Sequence, residues 1–173
     1  MNETKYKTCC FIGHRKINDT PKLRERLKNF LSELFESGTV NFIFGSRSEF
    51  DDLCYDLVTE LKEKHPEIKR LNFRCIYEDA DDYTMQFLIS GYEGSFCPKG
   101  VGKAGRAAYV ERNEAMIRES DICIFYYDEN YTPKKREICT YNLTDYQPKS
   151  GTAIAYEYAM QKKKKIYNIF DNI

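Results

Sequence analysis

Three short turns carry the side chains best suited to gripping an anion: Gly13-His14-Arg15, the run Gly45-Ser46-Arg47-Ser48-Glu49-Phe50-Asp51, and Ser150-Gly151-Thr152. Glycine lets a backbone approach a ligand closely, and an arginine such as Arg15 can hold a phosphate through two parallel hydrogen bonds. The second and third turns lead into helix starts, where unpaired amide groups favour negative charge. Each turn also has a plain structural reading. Gly13 to Arg15 can be a tight turn with a solvated arginine, and Ser48 or Ser150 can be an ordinary helix cap. A fourth candidate, Arg112-Asn113, lies on a helix that feeds an apolar strand, where surface decoration and ligand contact are equally open.

Two familiar patterns fail on context. Gly100-Val101-Gly102-Lys103-Ala104-Gly105 spells a dinucleotide fingerprint, but no apolar strand precedes it, since Phe96-Cys97-Pro98-Lys99 contains a proline. The same stretch is not a Walker A loop either, since Cys97 stands where its first glycine belongs. Seven cysteines and two histidines contain no C-x-x-C pair, and Cys9 and Cys10 point to opposite faces of any strand. No metal and no cofactor is expected, and Cys9, Cys10, Cys75 and Cys123, inside apolar strand-like runs, read as small buried hydrophobes in a reducing cytoplasm.

The elements that must place these turns follow from periodicity. Lys7 to Ile12, Val40 to Phe44, Leu71 to Tyr77, Ile122 to Tyr126 and Lys165 to Phe170 read as five short buried strands. Leu23, Leu27, Phe30, Leu31, Leu34 and Phe35 make one face of a helix opened by Pro21, capped by Asp19 or Thr20, and ended by Gly38. Phe50, Leu53, Leu57, Val58 and Leu61 make a second, ending before Pro66. Ala108 to Glu119 and Thr152 to Gln161 make two more, and Tyr83 to Ser90 a short fifth. Alternation of strands and helices predicts an α/β, Rossmann-like three-layer sandwich around a mostly parallel sheet. Ligands in such folds sit beyond the carboxyl ends of the strands. The long tyrosine-rich connection after Tyr126 is a candidate lid over residues 128–149.

With 173 residues, one domain over 1–173 is expected, with irregular segments near 79–107 and 128–148. Basic and acidic side chains number 27 each, which argues against a protein that coats nucleic acid by charge alone. Apolar runs stop at five or six residues, far short of the roughly 20 that span a bilayer. No secretory leader is evident at the amino terminus. A soluble cytoplasmic protein without a membrane partner is therefore expected.

Taken in order, the turns resemble the SLOG superfamily, the Rossmann-like group that includes LOG proteins and DprA, and within it the small YpsA-like and YoqJ-like bacterial branch. The resemblance rests on Cys10-Phe11-Ile12-Gly13-His14-Arg15, on Gly45 to Asp51, on Arg112-Asn113-x-x-Met116 with Ser120-Asp121, and on Ser150-Gly151-Thr152 with Tyr158-Ala159. It implies a nucleotide or nucleotide derivative bound by Gly13, His14, Arg15, Gly45, Ser46, Arg47, Asp51, Arg112, Asn113, Ser150, Gly151 and Thr152. It also implies pairing as a homodimer. LOG enzymes cleave the N-glycosidic bond of nucleoside monophosphates with a glutamate three residues after the G-T dipeptide, and here that position is Ala155. Glu157 stands about 200° further around the helix and is no simple substitute. Three functions follow in order: a nucleotide sensor or sequestering module, a phosphoribohydrolase using a displaced carboxylate from Asp51, Glu78 or Asp128, and single-stranded DNA binding of the DprA kind. Lys134-Lys135-Arg136 beside Tyr131 and Tyr141 keeps the last one open.

Overall fold

A computed structural model describes residues 6–45, 48–75, 86, 90–98, 106–133 and 149–170. Its elements run β1 (Lys7–Gly13), α1 (Pro21–Glu36), β2 (Thr39–Phe44), α2 (Glu49–Lys64), β3 (Lys69–Phe73), β4 (Gly94–Phe96), α3 (Arg106–Glu119), β5 (Ile122–Tyr126), α4 (Gly151–Gln161) and β6 (Lys165–Asn168). The six strands form one sheet in the order β4-β3-β2-β1-β5-β6, and every adjacent pair is parallel. The expected Rossmann-like sandwich is what the chain forms.

Successive side chains on the central strands serve two separate cores, which is why these strands are apolar throughout rather than alternating. Cys9, Phe11, Phe42, Phe44, Ile122 and Ile124 pack with Leu23, Leu27 and Leu31 of α1 and Leu53 and Leu57 of α2. Cys10, Ile12, Ile43, Cys123 and Phe125 pack on the other side with Ala115 and Met116 of α3 and Ala155 and Ala159 of α4. Burial pushes the thiols of Cys9, Cys10 and Cys54 up, so they stay protonated and act as small apolar groups.

Three helices start on a hydroxyl. Thr20 Oγ1 accepts the N–H of Leu23 at 3.1 Å with Pro21 opening α1, while Asp19 pairs with Arg24 instead. Ser48 caps α2 through the N–H of Asp51 at 3.1 Å, and Ser150 caps α4 through the N–H of Ala153 at 3.1 Å. Ser48 is buried, so water cannot replace it there. Ser48→Ala is therefore expected to lower unfolding stability by about 1 kcal/mol, readable as a shifted urea midpoint at constant slope.

Two details differ from expectation. The sheet has six strands, not five, because Gly94-Ser95-Phe96 pairs with Leu71-Asn72-Phe73 at the edge. Three residues carry no periodicity, so the strand is invisible in the pattern. The third strand runs Lys69–Phe73, starting two residues before its apolar signal and ending short of the expected Tyr77. Its polar Arg70 is accommodated because Glu93 accepts from the Arg70 backbone N–H and guanidinium at 2.7 and 2.9 Å. Of the expected helix from Tyr83 to Ser90, Gln86 and Ser90 are described and helical. The acidic turn 78–82, the G-x-G-x-x-G stretch and most of the candidate lid lie outside the described residues.

The Lys162 to Lys165 run does not simply decorate its own helix end. Lys164 Nζ donates to the carbonyls of Arg118 and Ser120 at 3.0 and 2.6 Å, closing the carboxyl end of α3 from across the molecule.

Candidate functional site

Strand β1 lies between β2 and β5, and the crossovers on its two sides run over opposite faces of the sheet. At that reversal of order the loops part and leave a crevice beyond the strand ends. The turn after β1 is fixed from both sides. His14 donates its backbone N–H to the Tyr126 carbonyl at 3.2 Å, extending the β1–β5 ladder by one residue. Arg15 accepts the N–H of Glu49 at 2.9 Å, and the Glu49 carboxylate accepts from the N–H of Ile17 at 3.0 Å and from the ammonium of Lys16. Those two donors, Lys16 foremost, hold the Glu49 carboxyl below its usual range. The Gly13-His14-Arg15 turn is thus stitched to the first residue of α2, with the Arg15 side chain exposed.

His14 is the pivot of the crevice. Its side chain is buried, and Nε2 accepts the backbone N–H of Asp128 at 2.9 Å. An accepting Nε2 places the proton of the neutral ring on Nδ1. The imidazole stacks on Tyr131 with ring centres 4.1 Å apart and lies 6.0 Å from Tyr127. Burial lowers its pKa from the ordinary imidazole value, and the contacts with Asp128 only partly oppose that. The strand-following segment 127–131 is held in place by this one ring together with the side chain of Asn168, which accepts from the Tyr127 N–H at 3.0 Å and donates to its carbonyl at 2.8 Å.

The β2 end is built differently. A methyl group on Gly45 would stand 2.5 Å from Met116 Sδ and 3.0 Å from Arg112 Nε. Gly45 is therefore small because α3 presses against the strand end. Arg112 is 3% exposed, lies 5.3 Å over the Tyr109 ring, and donates to Asn113 Oδ1 at 3.2 Å. Ser120 closes α3 on the Met116 carbonyl at 2.8 Å, and Asp121 exchanges hydrogen bonds with both backbone groups of Thr8 at 2.8 and 2.9 Å. The R-N-x-x-M…S-D signature thus docks α3 and registers β5 on β1. Asp51 is buried in the first turn of α2 on the far side of the same turn. Ser46 and Arg47, between Gly45 and the Ser48 cap, lie outside the described residues.

The third turn opens a cavity of about 290 Å³ between α4 and the segment after β5. Tyr127, Glu129, Tyr131, Thr132 and Pro133 form one wall, and Lys149, Ser150, Ala153 and Glu157 the other. Gly151 is exposed with open space where a side chain would be, and Thr152 turns inward. On that second wall Lys149 Nζ meets Glu157 Oε1 at 2.5 Å. Of the expected residues, Ser150 lines the cavity and His14 stacks on its Tyr131 wall, while Gly13, Arg15 and Gly151 are only their chain neighbours. Gly45, Arg112 and Asn113 form a separate cluster under β2. The sequence reading missed Tyr127, Lys149, Glu129 and Glu157 as cavity walls. The spacing Ser150, Ala153, Glu157 was the available signal, since steps of three and four share one helix face.

Ala155, at the position of the LOG glutamate, is buried in the core against β5. Glu157 faces outward as its angle demands, yet that outward face is the cavity wall.

A solved structure of DNA processing protein A from Helicobacter pylori, described for its single-stranded DNA binding mode, matches with a TM-score of 0.57 and 17% sequence identity. The match covers 92% of this chain and 63% of that one. The two proteins share a fold. This chain spans less than two thirds of that protein's length. No family model and no curated protein sequence matches.

Proposed function

We propose that the carboxyl edge of the sheet binds a nucleotide or nucleotide derivative, and that the protein acts as a sensor or sequestering module. The observation that carries this reading is the cavity between Tyr131 and the start of α4. An aromatic face and a helix amino terminus meet there at the switch in strand order. A base suits the aromatic wall, and a phosphate suits the open backbone at Gly151. The motif order resembles that of the YpsA-like and YoqJ-like branch of the SLOG group, which supports this reading. Hydrolysis at this site lacks its main actor, because the position of the LOG glutamate is a buried alanine.

Calorimetric titration with a panel of mononucleotides is expected to show binding tighter than millimolar for at least one member. Uniformly weaker binding across the panel overturns the reading.

The second reading is single-stranded DNA, supported by the shared fold with DprA and by exposed rings at Tyr109 and Tyr131. Stacking platforms of this kind accept bases in a strand as well as free ones. An oligonucleotide that binds with steep salt dependence, while mononucleotides do not bind, favours it.

A further inference from the structure

The cavity beside α4 has a polar character that the phosphate-binding turns do not explain. Among the described residues it is lined by two carboxylates, Glu129 and Glu157, and one ammonium, Lys149. Carboxylates accept hydrogen bonds that a phosphate cannot donate, so this wall suits the base of a nucleotide and the glycine turns its phosphate. What such a wall attracts is a neutral group rich in hydrogen-bond donors. The flat partner is present as well. Tyr131 is covered on one side by His14 at 4.1 Å and is still 40% exposed, and Tyr127 is backed by Tyr156 at 4.7 Å. The cavity's volume lies at the small end of ligand pockets, sized for a single ring system rather than a whole dinucleotide.

Resting on the nucleotide reading above, we propose that this cavity is a base subsite selective for guanine, read by Glu157 and Lys149. Guanine presents an acceptor, O6, next to two donors, N1–H and N2–H, along its Watson–Crick edge. The Lys149–Glu157 pair presents the complement: an ammonium donor adjacent to a carboxylate with two acceptor oxygens. The two Glu157 oxygens accept from N1–H and N2–H, and the Lys149 ammonium, with three donors, reaches O6 while keeping one bond to Glu157. Adenine offers its N6–H to one oxygen and N1 to the ammonium, leaving the second oxygen to water. Uracil offers one donor between two acceptors and a smaller stacking face. Reading a base by its edge between aromatic and apolar side chains is a general solution for isolated bases. Ser150 and Ala153 lie on the same α4 face as Glu157, so the base edge and the helix start are reached from one ligand.

The test is calorimetry with GMP, IMP, AMP and UMP, using ribose 5-phosphate as the probe for the phosphate end alone. GMP is expected to bind on the order of ten-fold tighter than AMP, a difference typical of charge-assisted pairs that remain partly solvated. IMP, which lacks the N2 donor, falls between them. Glu157→Gln removes one acceptor and is expected to bring GMP to the affinity of AMP. It leaves ribose 5-phosphate binding and the melting temperature unchanged, because the Lys149–Glu157 pair is exposed. Equal affinities for GMP and AMP, or a preference that survives Glu157→Gln, overturns the guanine subsite and leaves nucleotide binding standing. Failure of every nucleotide to bind overturns both.

Discussion

Gly13→Ala is expected to destabilise the protein by about 3 kcal/mol, the upper end of the range for overpacking a core. A methyl group there would stand 2.4, 2.6 and 2.7 Å from Cδ1, Cγ and Cβ of Phe50. Those atoms are the root of the side chain, so a rotamer change cannot clear them all. The first turn of α2 must move instead. Phe50 is fully buried and touches Tyr126 at 5.5 Å between ring centres, so its other flank is closed. Moving that turn also disturbs the Ser48 cap and the grip of Glu49 on residues 15–17. The shift is read as a lower urea midpoint at unchanged slope. A double-mutant cycle with Phe50→Ala assigns the cause, because removing Cγ and Cδ1 relieves part of the loss. If Gly13→Ala costs as much in the Phe50→Ala background, packing is not the reason. A glycine kept only for ligand approach predicts the opposite pattern, with normal stability and lost nucleotide binding.

Gly13 also shows where sequence reasoning reaches its limit. Its position after an apolar run marks the strand end correctly, and so do Gly45 and the serine caps that follow. A glycine, however, is silent about which neighbour demands its small size. At Gly13 the neighbour is Phe50, and at Gly45 it is α3, through Met116 and Arg112. Both partners are distant in sequence and become adjacent only when the sheet assembles. The elements with strong period were legible, down to the alternate burial of Cys9 and Cys10 in separate cores. Strand β4 was not, for want of length. The link from Lys164 to the end of α3 was hidden for a different reason: a lysine run reads as an exposed helix end, and its true acceptors lie more than forty residues away. Glu157 was weighed as a failed catalyst because the comparison was with Ala155. Its own helix face, shared with Ser150 and Ala153, was the more informative question.

His14 carries the other large effect, and it depends on pH. Removing the ring, as in His14→Ala, is expected to lose about 2 kcal/mol from the stack on Tyr131 and the bond from the Asp128 N–H together. In the wild type the same bond fails by protonation. Burial sets the folded pKa below the ordinary value of 6.5, so the unfolded chain takes up the proton first as pH falls. His14's contribution is therefore fully present above the ordinary imidazole range. It is lost progressively as pH drops through 6.5 toward the folded value, and levels off beneath it. Once Nε2 is protonated it confronts another donor at Asp128, and the neighbouring Asp128 carboxylate offsets that only in part. Segment 127–131 then keeps its anchor on Asn168 and the packing of Tyr127 on Tyr156, and the Tyr131 wall of the cavity loosens. Wild-type stability should fall as pH drops through 6.5, and nucleotide affinity should fall with it. His14→Gln, whose amide oxygen can accept the same N–H without titrating, should be flat over the same drop. Glu49 does not mimic the effect, because its lowered pKa confines its own loss to more acid solution, below about pH 4.5. Parallel pH profiles for wild type and His14→Gln would show that the imidazole does not hold the loop.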